Sequence, residues 1–248
     1  MVLEAQTGLV IALFGILGLI LLLFVPRIRG RPGPWLAFFL GVLLYLIVHD
    51  LAEAFLLESA LRVSLGGAGT LSLVALGLLV GGAAALLLLQ GATDRGAPAL
   101  GVAVVVALLL ALHATLDGLV VGIALQTLPE AQVVEPSAIA MQAIHRALEG
   151  GLLVVVLVLA GVRTNRTFAG LVFVSLPLVA TAALAPLAPD LIAASVSVLL
   201  GFLAAGAFFV LFLRGSWVVL AEDIGSVRAA PWLLVGFLVG VIAHNLAH

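Results

Sequence analysis

Cysteine is absent from this chain of 248 residues, and so is lysine, so that all ten basic residues are arginine. Without cysteine there is neither a disulfide framework nor a thiolate metal site, and nothing marks the redox compartment. Without lysine there is no Schiff-base chemistry, which excludes a retinal pigment. Charge of either sign is scarce: 9% of residues are charged and the formal net charge is −2. Such a balance gives no electrostatic reason to expect nucleic acid as a partner.

Apolar sequence fills the space that charge leaves. The chain is 65% hydrophobic with a mean hydropathy of +1.39, more than a soluble domain of this size tolerates on its surface, so it reads as an all-α integral membrane protein. Eight apolar runs of about 20 residues are separated by short breaks containing Gly, Pro and Arg, at roughly 9–25, 35–57, 70–90, 98–125, 137–161, 168–187, 191–213 and 232–248. They leave no room for a separate soluble domain, and 1–248 is expected to be one transmembrane domain. The first run has Glu4 and no basic residue ahead of it, so it reads as a retained helix and not as a secretory signal. The stretch from Pro26 to Pro34 reads as a loop that its prolines keep from being helical.

Arginine supplies the orientation. The loops after spans one, three, five and seven hold Arg27, Arg29, Arg31, Arg95, Arg163, Arg166, Arg214 and Arg228, whereas the opposite side holds Arg62 alone and Arg146 lies within a span. The positive-inside rule then predicts eight spans with both termini on the non-cytoplasmic side. The expected place is the cell membrane, multi-pass, or the inner membrane if the source is Gram-negative. The oligomeric state stays open, with a homodimer as the assembly considered.

Ionisable residues inside spans are costly, about 2.5–3.5 kcal/mol each at the bilayer centre on the insertion scale, and they face a protein interior or a water path. Span four carries His113 and Asp117, followed by Gly118; span five carries His145 and Glu149, followed by Gly150. A spacing of four places both members of each pair on one helix face. Counting residues from the span starts puts all four between the bilayer midplane and its outer third, with His49, Asp50 and Glu53 of span two at a similar or slightly outer level. Each pair alone could be a helix–helix hydrogen bond. Two at matching depth point to a shared cation site with two nitrogen and two oxygen ligands, which suits Zn²⁺, Fe²⁺ or Mn²⁺ and not Cu(I). A proton pathway is the competing use of the same groups.

These paired motifs, His-x-x-x-Asp-Gly and His-x-x-x-Glu-Gly, together with His49-Asp50-Leu51-Ala52-Glu53-Ala54, resemble those of the ZIP (ZRT/IRT-like) zinc and iron transporters. The resemblance implies a 3+2+3 arrangement in which spans four and five lie between inverted three-helix repeats. It also implies uptake of a divalent metal, zinc first, toward the cytoplasm by alternating access or an elevator-like motion, with His113, Asp117, His145 and Glu149 as central ligands and no enzymatic activity.

Departures from the family pattern sharpen that expectation. Ala114 and Arg146 stand where family members often carry ligands for a second metal. A guanidinium cannot ligate and stays charged, so Arg146 is expected to replace the second cation, to neutralise nearby carboxylates, and to leave a mononuclear site. Ala147-Leu148 replaces the proline usual in span five, and residues Gly201 to Leu213 of span seven have no titratable group.

His49, Asp50, Glu53 and Gln142 are candidate accessory groups, the first three near the mouth where an ion would enter. Glu222 and Asp223 could receive a leaving ion, although a solvated loop pair is the commoner meaning. His244 and His248 give slight support to an alternative, an intramembrane zinc-dependent hydrolase working through a metal-bound water. A non-transporting, ZIP-derived metal sensor is the other alternative, motivated by Arg146 and the apolar seventh span.

Overall fold

The computed structural model describes residues 12–13, 16–127, 136–187, 190–216 and 226–245. The side chains of Asp50, Glu53, Gln142 and His244, and all of Glu222, Asp223 and His248, lie outside what is described. Among the described residues the secondary structure is helical throughout, the arrangement that lets an apolar medium surround a backbone whose polar groups are satisfied internally. A 3-10 segment, Ile16–Phe24, leads into α1, Val25–Gly30. The helices that follow are α2, Pro32–Asp94; α3, Pro98–Thr127; α4, Pro136–Leu159; α5, Thr164–Leu184; α6, Asp190–Val210; and α7, Ser226–Asn245.

One expectation is corrected by these boundaries. The stretch from Pro26 to Pro34 is largely helical, because its prolines fall in first turns: Pro26 opens α1, and Pro32 and Pro34 open α2. There a missing N–H is no loss, since first-turn donors have no partner within the helix. Spans two and three, expected as separate helices, are two helices that meet at a kink within Pro32–Asp94. The chain turns at Gly66, whose φ of 74° and ψ of 163° lie where a side chain is not tolerated. Leu51 before it and Leu73 and Val74 after it pack against the same cluster, Val198 and Phe202 of α6, so the two arms of α2 fold back beside one helix.

Among the described residues, five helical stretches are long and apolar enough to cross a membrane: Pro32–His49, Leu65–Asp94, Pro98–Leu119, Thr164–Leu184 and Ala194–Arg214. Arg228–Ile242 is apolar but shorter. On the second arm of α2, Leu71, Leu79 and Leu87 are exposed at intervals of eight, a continuous apolar face that water would penalise and lipid would not.

Glycines set how the helices pair. Gly236 and Gly240 of α7 lie against Phe38 and Tyr45 of the first arm of α2. Gly81 meets Leu203, and Gly206 meets Leu78 and Gly82, joining the second arm to α6. Gly118 and Gly122 meet Leu178 and Ala182, joining α3 to α5, and Gly18 and Leu21 lie beside Gly150 and Gly151 of α4. In each pair residue numbers rise together, so the partners run parallel. At Gly236, Gly206 and Gly118 an added Cβ would overlap the neighbouring backbone or hydroxyl, which is why small residues line these contacts.

Candidate metal centre

The helices α3 and α4 run antiparallel: Leu110 and Leu153 line one small cavity, while Arg146 reaches Asp117 at the other end of the contact. That arrangement brings the two His-x-x-x-carboxylate faces together at one level, as their spacing predicts. His113, His145 and Glu149 are buried and Asp117 is half-buried. The imidazole rings stack with centroids 5.1 Å apart and an interplanar angle of 25°.

Three atoms converge. His113 Nε2 and His145 Nε2 are 2.8 Å apart, and Glu149 Oε1 lies 3.1 Å from the first and 3.0 Å from the second. Asp117 Oδ1 stands farther off, 3.7 Å from His113 Nε2. Donor atoms of His113, Asp117 and His145 lie within 4.8 Å of one another. Atoms about 3 Å apart can all stand about 2.0–2.2 Å from a single Zn²⁺, and His113, Asp117 and His145 form a group that could hold a metal ion, with Glu149 Oε1 beside both imidazoles. Glu149 Oε1 is buried, and its neighbours among the described residues are the two imidazole nitrogens.

Arg146 accounts for the remaining carboxylate oxygens. Its guanidinium donates to Glu149 Oε2 one turn along α4 and to Asp117 Oδ2 across to α3. Each carboxylate is therefore divided, one oxygen held by Arg146 and the other turned toward the imidazoles. A fork of fixed planar donors suits this clamping of two oxygens at once. With neutral imidazoles the five groups carry one net negative charge, so a divalent ion would leave one net positive charge. Two carboxylates alone would carry two negative charges. Arg146 thus fixes the orientation of both carboxylates, as outer hydrogen-bond partners do around bound metals.

Hydrophobic packing holds the layer. Leu109 and Leu110 precede His113 by about one turn, Leu152 and Leu153 follow Glu149 by about one turn, and all four are fully buried. They close the side of the site toward the start of α3, whereas Asp117, on the other side, has 16% of its side-chain surface exposed against 3% for His113. A small cavity bounded by Leu110, Arg146, Glu149, Leu153, Val174 and Ser175 opens beside the clamp toward α5.

Two groups in this region escape a reading of the sequence. The Thr181 hydroxyl of α5 lies 2.7 Å from the Pro177 carbonyl oxygen and 3.1 Å from that of Thr115, where its single proton can go to either, and it abuts Gly118. It pins α5 to the turn of α3 that carries Asp117. Ser175 borders the cavity. A threonine four residues after a helical proline was the available signal for the first; an isolated serine offers none for the second. His49 is half-buried with its ring stacked on Tyr45, 6.2 Å between centroids, and is not among the donors gathered within 4.8 Å.

Compared with protein-family models and with curated proteins, the chain matches none.

Proposed function

We propose that this protein carries a divalent transition metal, zinc first and iron or manganese next, across a membrane toward the cytoplasm through a single-ion site between α3 and α4. The observation that carries the proposal is the buried convergence of His113 Nε2, His145 Nε2 and Glu149 Oε1 within 2.8–3.1 Å, with Arg146 occupying the outward oxygens of both carboxylates. The ion is substrate here, bound by His113, Asp117, His145 and Glu149. The greater exposure of Asp117 and the leucine layer on the opposite side support approach from the Asp117 side and release past the leucines after a rearrangement.

The helix pairing supports eight spans and a ZIP-like layout. Numbered in sequence order, with the arms of α2 as spans two and three, the parallel pairs are one with five, two with eight, three with seven and four with six. Every pair joins two odd or two even spans, as a chain alternating in direction requires. Exchanging spans one, two and three with six, seven and eight, and four with five, maps this set of pairs onto itself. Two inverted three-helix repeats around a central pair would give such a set, and inverted repeats place substrate sites near the midplane at the repeat interface. The same exchange takes His113 to His145 and Asp117 to Glu149.

The test is zinc uptake into proteoliposomes. Flux is expected for the parent chain and a fall of more than ~10-fold for His113→Ala and for Glu149→Ala; undiminished flux in both variants would remove these residues as ligands. A second reading, a metal sensor that binds without transporting, is favoured by the ion pairs that hold Arg146 in the site. Retained zinc without flux would select it.

A further inference from the structure

Outside the metal centre, the most strongly charged feature of the described residues is the run Arg27, Arg29 and Arg31 around α1. Ile28 is wholly buried in the core and anchors α1, so the three arginines on either side of it are exposed. Arg31 N donates to Arg27 O at 3.0 Å, which sets these two arginines one turn apart on the same side. A concavity is bounded by Arg27, Gly30, Arg31 and Trp35, and nothing lies within 4 Å of where a side chain on Gly30 would begin. Its apolar flank is built: the Arg27 guanidinium stands 5.7 Å over the Phe24 ring, and the Phe24 and Trp35 rings lie 6.4 Å apart.

Among the described residues none of these three arginines is paired with a carboxylate. The α2 helix begins at Pro32 with no side-chain cap, so the positive end of its dipole adds to the same field. The positive-inside rule explains why arginines are found in this loop. It does not explain a concavity walled by two of them and a tryptophan.

We propose that Arg27, Arg31 and Trp35 form a binding site for the phosphate headgroup of an anionic phospholipid. Charge complementarity selects an anion, and position selects a lipid over a soluble phosphate. The concavity sits where the apolar segments Ile16–Phe24 and Pro32–His49 meet their polar connection, and Trp35 has the amphipathic ring that settles at headgroup level. Arginines facing an anionic leaflet are the usual elements of such recognition. The inference rests on the membrane reading of the chain but not on which ion is carried, so lipid retention and zinc flux fail independently.

The experiment is native mass spectrometry of the full chain in detergent, titrated with phosphatidylglycerol, phosphatidylcholine or inorganic phosphate. Phosphatidylglycerol is expected to stay bound in preference to phosphatidylcholine, and Arg27→Gln with Arg31→Gln to lose the preference by about fivefold per arginine. The pair Arg95→Gln with Arg228→Gln, which removes the same charge elsewhere on the exposed surface, is expected to keep it, and thermal unfolding of all three proteins checks that each is folded. Equal losses in both double variants, or none in the first, would overturn the proposal. So would inorganic phosphate displacing phosphatidylglycerol at equal concentration.

Discussion

At the scale of single residues, Arg146 is what makes this centre unusual. A positive charge beside the proposed cation site ought to repel its ligand, yet here it holds two carboxylates so that their free oxygens face the imidazoles. Arg146→Ala leaves Asp117 and Glu149 without their cation in a buried place, and breaking a buried pair in this way costs about 3–5 kcal/mol. Thermal unfolding should show the metal-free variant strongly destabilised and zinc recovering more stability in it than in the parent; an unchanged melting temperature would mean that the clamp contributes nothing. Arg146→Asp replaces the tethered cation with a further ligand, and elemental analysis is expected to find a second metal bound.

Much of this was legible. The spacing of four in each motif puts His113 with Asp117 and His145 with Glu149, and a guanidinium among them has few other partners. The division of each carboxylate between Arg146 and the imidazoles was not legible, because it depends on side-chain torsions across two helices. Thr181 was not legible either, since its contact with Thr115 spans 66 residues of sequence.

At the scale of elements, the helices follow from apolar runs and their joints follow from proline and glycine. Pro26, Pro32 and Pro34 look like helix breakers in the sequence and act as helix starters in the fold, because position within a helix decides what proline does. Residues 58–69 carry Glu58 and Arg62 and read as a break, and the break falls there at a single non-helical residue, Gly66, with helix on either side. Gly66→Val forces a β-branched side chain into that conformation at a cost of about 1–3 kcal/mol. The expected result is a lower melting temperature in detergent, with no comparable loss for Gly67→Val, whose neighbouring space is open and whose φ is not positive.

The close helix contacts were more readable than the turn. Gly81, Gly206, Gly236 and Gly240 stand out as small residues in apolar spans, and each admits a neighbouring helix. Gly118→Val is expected to be the most harmful of such changes for function. Its side chain would collide with Thr181 and Leu178, prising α5 from the turn of α3 that carries Asp117, so zinc retention should fall along with stability.

At the scale of the whole molecule, the absence of cysteine is an experimental advantage. Single cysteines can be introduced at Arg62, Asp94 and Asn165 and probed with a membrane-impermeant maleimide. Eight spans with both termini outside predict labelling of Arg62→Cys in intact cells, and of Asp94→Cys and Asn165→Cys only after permeabilisation. Labelling of Asp94→Cys and Arg62→Cys from the same side would mean that the second arm of α2 does not cross the membrane. Arginine placement predicts the orientation that this labelling tests; the pairing of α2 with α6 and α7, and of α3 with α5, was not readable, since it is fixed by contacts between distant segments.

The proposed single-ion centre is built by His113, Asp117, His145 and Glu149, with Arg146 in place of a second ion. Its most direct test is the zinc content per chain of the protein purified in zinc-containing detergent solution and freed of loosely bound metal, measured by elemental analysis beside a His113→Ala, His145→Ala double variant. One zinc per chain is expected in the parent and none in the double variant. Two zinc ions in the parent, or the same content in both proteins, would contradict it.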